Sequence, residues 1–135
     1  MTDGAMTPEL AALTAAAVVH FATIFAAQRA LERDVGHDAN LGTREGVEDR
    51  LSRRTQRLRR ASTNFTENLG PFIIAVVVVV LAGKTSALTA TLAWVFVAAR
   101  ALYVPAYALG WVPWRSFIWF AGFLATAALL VMGVL

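Results

Sequence analysis

The chain contains no cysteine, which excludes disulfides, thiolate nucleophiles and cysteine-ligated metals. Histidine is nearly as scarce, with only His20 and His37. One lies in an apolar run and the other in a charged stretch, so a paired imidazole site for a metal or haem within one chain is not expected. His20 is expected to serve as a hydrogen bonder between packed helices. There is no P-loop, no glycine-rich dinucleotide fingerprint and no internal repeat. Cations are missing before Arg29, and after Arg60 only Lys84, Arg100 and Arg115 occur. An N-terminus carrying Asp3 and Glu9 without a basic residue argues against a cleaved signal peptide, whose first region is positive.

What is present is mostly oily. Of 135 residues, 58% are hydrophobic, and the mean hydropathy of +0.59 is too high for a soluble domain of this size. Nine of the twelve Lys and Arg residues fall between Arg29 and Arg60. A charge at mid-bilayer costs about 2.5–3.5 kcal/mol on insertion scales, so this split separates a water-facing segment from lipid-facing ones. About 20 apolar residues cross a bilayer as a helix. The reading is one domain over 1–135, an all-α four-helix transmembrane bundle with spans near 8–28, 64–83, 87–109 and 115–135. The second span reaches full length only if its helix continues back through Asn64 and Glu67. By the positive-inside rule the basic loop 29–60 faces the cytoplasm, with Arg115 on the same side and both termini and Lys84 outside.

The pI of 10.2 invites a nucleic-acid reading. Yet no aromatic interrupts Arg50–Arg60 to stack a base, and acids are interspersed from Glu32 to Asp49. No nucleic-acid partner is expected. The basic segment reads as a topology signal contacting lipid phosphates.

Two groups of polar residues inside the spans carry the functional signal. Arg53, Arg57, Arg60, Asn64 and Glu67 are spaced by four, three, four and three, which keeps them on one helix face. Pro71 follows Glu67 by four and removes the amide that would bond its carbonyl. Arg100, Tyr103 and Tyr107 share a face of the third span, and Arg115 and Ser116 open the fourth, with Trp119 a turn deeper. An Arg100–Glu67 pair is the expected way to neutralise two intramembrane charges. Such pairs can serve only to fix helix register. The convergence of three cations, one acid and two phenols at one end points further, to a small anionic ligand.

Arg60-Ala61-x-x-Asn64-x-x-Glu67-Asn68-x-x-Pro71-Phe72 resembles the signature of the MAPEG family, the membrane-associated proteins of eicosanoid and glutathione metabolism. Ala99-Arg100-x-x-Tyr103-x-x-x-Tyr107 followed by Arg115-Ser116 resembles its later helices, and the basic loop looks closer to bacterial members. The resemblance implies a homotrimer of four-helix protomers in the cell inner membrane, with glutathione as co-substrate between neighbouring protomers. Arg60, Asn64, Glu67, Arg100, Tyr103 and Tyr107 would hold glutathione, with Arg29 as a further match at the end of the first helix. Arg115 would stabilise the thiolate, with a Ser116 or Tyr103 hydroxyl as donor. The implied function is a glutathione-dependent transferase or peroxidase acting on lipophilic small molecules drawn from membrane lipid. The alternative is a non-catalytic scaffold or lipid-binding protein of the same fold.

Overall fold

The computed structural model describes residues 4–135, so Asp3 lies outside the described residues. Among these the secondary structure is entirely helical: α1 (Pro8–Val35), α2 (His37–Leu41), a 3-10 turn (Val47–Arg50), α3 (Arg53–Leu81), α4 (Ala87–Ala108) and α5 (Trp114–Val134). Four of the helices, α1, α3, α4 and α5, are long and apolar enough to cross a membrane. The protein is therefore a multi-pass integral membrane protein built as an antiparallel four-helix bundle.

Local chemistry sets each helix end. Thr7 accepts from the Leu10 amide and Pro8 occupies the first helical position of α1, where its missing N–H costs nothing. Ser52 accepts from Thr55 N at 3.1 Å to start α3, and Ser86 with Thr89 forms a capping box at α4. α3 and α4 both stop on glycines with positive φ. At Gly110 (φ 72°) the Trp111 amide donates to Ala106 O and the Gly110 amide to Tyr107 O, a Schellman closure that satisfies the last carbonyls. Pro71 is accommodated within an α3 that runs on unbroken to Leu81.

The segment between α1 and α3 differs from the loop expected over 29–60. α1 continues to Val35 and α3 begins at Arg53, so only a short connection remains, and it too is folded. Val47 and Leu51 bury against Leu31 and Val35, two i, i+4 pairs that make a small apolar cluster beyond the membrane-crossing stretches. Arg50 Nη2 donates to Val35 O at 3.0 Å, and the Ser52 amide donates to Asp34 Oδ2 at 2.8 Å. The Thr55 hydroxyl and the Ser52 amide hold the Asp34 carboxyl below its ordinary range. The connection is thus pinned against the bundle at both ends.

The main core lies toward the other end. Phe72 of α3 stacks on Phe96 of α4 with centroids 3.9 Å apart, among Ala12, Ala16, Ala75, Val79, Ala93 and Leu129. Small residues there let helix backbones approach closely where lipid gives no hydrophobic drive for association. At that end Glu9 is 1% exposed, and Thr89, itself buried, donates its hydroxyl to Glu9 Oε1. The Glu9 side chain thus joins the first turns of α1 and α4.

Candidate functional site

α3 leaves the folded connection with Arg59 and Arg60 and then carries Asn64 and Glu67 inward. Asn64, Glu67 and Arg60 line a cavity of about 840 Å³ with Tyr103 and Tyr107 of α4. Ile24, Ala27 and Gln28 of α1 form another wall, and Glu48 and Asp49 of the 3-10 turn close the mouth. A smaller cavity of about 290 Å³ shares Asn64, Tyr103 and Tyr107 and adds Arg115, Ser116, Trp119 and Phe120 of α5. Seven of the residues singled out by sequence therefore surround two cavities with a common wall: Arg60, Asn64, Glu67, Tyr103, Tyr107, Arg115 and Ser116. The first is polar and edged with charge; the second is floored by aromatic rings.

Arg100 departs from expectation. It is 0% exposed and stands behind the cavity wall instead of lining it. Its Nη1 donates to Asn64 Oδ1 at 2.9 Å, and its guanidinium carbon lies 4.9 Å from the Tyr103 ring centre and 5.7 Å from that of Phe96. The expected Arg100–Glu67 pair is not formed: the two ion pairs among the described residues are Glu32–His37 and Glu48–Arg59. The reason is position along α3. Asn64, the adjoining turn of the same stripe, meets the buried guanidinium, and Glu67 stays exposed on the cavity wall.

Nε and Nη2 of Arg100 are buried without a protein acceptor. They face α5 at Gly122, where an added Cβ would lie 3.6 Å from Nε, 3.7 Å from Nη2 and 3.3 Å from Ala99 Cβ. Glycine at this point lets the guanidinium lie flat against a neighbouring backbone. Gly122→Val is expected to push α5 off Arg100 at a cost of about 1–3 kcal/mol, read as a lowered thermal midpoint in detergent. An unchanged midpoint would show that α5 is not held against α4 here.

Arg115 lines the smaller cavity, with its guanidinium carbon 4.8 Å from the centre of the Tyr107 ring. Trp119 stacks on Phe123 at 5.2 Å. His20 has the packing role expected of it: Thr66 Oγ1 and His20 Nε2 are 3.4 Å apart, and the imidazole leans on Phe65. Arg29 is not brought to the site. It projects from another face of α1, beside a separate cavity with Arg33 and Arg54.

Sequence reasoning missed several members of the site. Glu48 and Asp49 reach the cavity because Val47 and Leu51 dock the connection onto α1, a matching i, i+4 spacing that was visible in the sequence. Arg59 is held by Glu48 at 2.6 Å across the mouth. Arg57, on the same stripe as Arg60, turns elsewhere: its Nε donates to Ala108 O at 3.1 Å and caps the C-terminal end of α4.

Four helices long and apolar enough to cross a membrane, with a polar cavity gathered at one end, define an integral membrane protein with a polar recess in its bundle. The chain matches the MAPEG family model over residues 9–135, nearly its whole length, and belongs to that family. No curated protein matches the chain, and no solved structure does.

Proposed function

We infer that the protein is a glutathione-dependent transferase or peroxidase of the membrane, acting on lipophilic electrophiles. The observation that carries this reading is the pair of cavities with a common wall. Glutathione has two carboxylates, one ammonium and a thiol. The larger cavity offers Arg60 for a carboxylate, Glu67 for the ammonium, and Asn64 with the tyrosine hydroxyls for the peptide groups. Arg100 acts from behind, fixing the Asn64 amide and adding positive potential without touching the ligand.

The thiol then lies toward the common wall of Asn64, Tyr103 and Tyr107, beyond which Arg115 and Ser116 line the smaller cavity. A free thiol has a pKa of about 8.5, lowered by an adjacent guanidinium. Conjugation needs no more than this. The thiolate sulfur forms a bond to an electrophilic carbon, and the leaving group departs with its electron pair. The aromatic floor of Trp119 and Phe120 suits an apolar reactant arriving from the bilayer. Assembly as a homotrimer, with the basic connection in the cytoplasm and both chain ends outside, belongs to the same proposal; family membership supports the first and charge asymmetry the second.

A scaffold reading has one observation in its favour. The Arg100–Asn64 hydrogen bond and the cation–π contacts give those side chains a packing role without any ligand. Glutathione itself separates the two. Millimolar glutathione is expected to raise the thermal midpoint of the detergent-solubilised protein and to support conjugation of a generic aryl electrophile. Glu67→Gln should weaken affinity about tenfold or more, the loss of one charge-assisted hydrogen bond. No shift in the wild-type protein would leave the scaffold standing.

A further inference from the structure

A second cavity of about 470 Å³ lies on the far side of α1, and it shares no lining residue with the site described above. The turn at 26–30 divides the two: Ala27 and Gln28 face the candidate active site, Ala26, Arg29 and Ala30 the other cavity. Arg33 and, from the first turn of α3, Arg54 complete a ring of three guanidiniums. Neither ion pair of the described residues involves any of them. Asp34 also lines the cavity, its carboxylate accepting from the Ser52 amide, and Glu32 meets His37. Three guanidiniums against one acid leave the cavity with an excess of positive charge.

Its placement says what it meets. Phe21, Phe25, Arg29 and Arg33 succeed one another at intervals of four along one stripe of α1. Phe21 and Phe25 are 72% and 67% exposed, as suits side chains facing hydrocarbon. The same stripe therefore passes from apolar to cationic where the helix leaves the bilayer, with Ala26, Ala30 and Leu58 continuing the apolar wall. We propose that this cavity binds the phosphodiester headgroup of an anionic membrane lipid, its acyl chain lying along Phe25 and Phe21. Guanidinium forks match phosphate oxygens geometrically as well as in charge. A soluble anion would find the arginines but gain nothing from the aromatic stripe.

The test uses the full-length protein in a neutral detergent, titrated with phosphatidylglycerol or phosphatidylcholine and read by native mass spectrometry. Preferential retention of phosphatidylglycerol is expected. Arg33→Gln with Arg54→Gln should reduce that preference about 25-fold, since one arginine near a membrane surface contributes about 1 kcal/mol, or fivefold. Phosphatidylcholine binding and the glutathione thermal shift should not change. Arg53→Gln, which removes an exposed charge outside the cavity, is the control. An equal effect of Arg53→Gln and Arg54→Gln would reduce the cavity to diffuse surface charge and overturn the proposal. So would inorganic phosphate displacing phosphatidylglycerol at equal concentration. Loss of the oligomer in the double variant with lipid preference intact would assign the ring to a second copy of the chain.

Discussion

Arg115→Ala is expected to lower glutathione-dependent turnover at least 100-fold while glutathione affinity stays within about threefold. The asymmetry comes from where Arg115 stands. It is on α5 and lines only the smaller cavity, with its guanidinium against Tyr107 of the common wall, whereas Arg60 and Glu67, proposed to grip the two ends of glutathione, line the larger one. A cation placed there interacts with charge on sulfur, and that charge exists only after the thiol has lost its proton. Interactions of this kind raise the rate and leave ground-state binding nearly untouched. Each pKa unit corresponds to about 1.4 kcal/mol of preference for thiolate. The pH–rate profile of the variant should therefore move about one unit or more to higher pH. Equal losses in turnover and affinity, with an unmoved profile, would transfer Arg115 to the gripping role.

Arg100→Met is expected to abolish the glutathione thermal shift and to leave the unliganded protein as stable as before, or more so. A fully buried guanidinium with two donors unpartnered is a cost to the fold, and apolar replacements of buried charges are often neutral or stabilising by about 1–4 kcal/mol. Methionine is unbranched and adaptable enough to fill the slot between Phe96, Tyr103 and Gly122. Asn64 Oδ1 loses one donor and keeps the other, Asn68 Nδ2 at 3.2 Å, and it borders the larger cavity, where water can replace the lost bond. On the proposed reading, binding suffers because the Asn64 amide loses the stronger of its two fixed donors and the positive potential behind it is gone. The measurement is a melting curve with and without glutathione. A collapse of the unliganded midpoint with binding retained would make Arg100 a packing residue only.

The fold was legible because two simple signals agree in this chain. Apolar runs of membrane length set the helices, and the concentration of nine of the eleven arginines in 29–60 separated the ends of the bundle. The site was legible as far as it follows helical spacing: Arg60, Asn64 and Glu67 are on one face of α3, and Tyr103 and Tyr107 on one face of α4. What spacing does not contain is rotation between helices. Arg100 shares the face of the tyrosines, yet its longer side chain turns back to Asn64 and disappears behind the wall. Glu48 and Asp49 were hidden for another reason. They enter through tertiary docking of a connection whose only advertisement is the pairing of Val47 and Leu51 with Leu31 and Val35. Arg57 and Glu9 were missed because a charged residue near a helix end has two employments, ligand or cap, and sequence does not choose between them.

The Glu9–Thr89 bond lies at the end of the bundle away from both cavities, near the Phe72–Phe96 stack. The other end of α1, about 40 Å away at 1.5 Å per residue, is tied as well: the Ser52 amide bonds Asp34, and Arg50 bonds the Val35 carbonyl. Fastened at both tips, α1 acts as a brace, and the wall it gives the larger cavity, Ile24, Ala27 and Gln28, lies between the two fastenings.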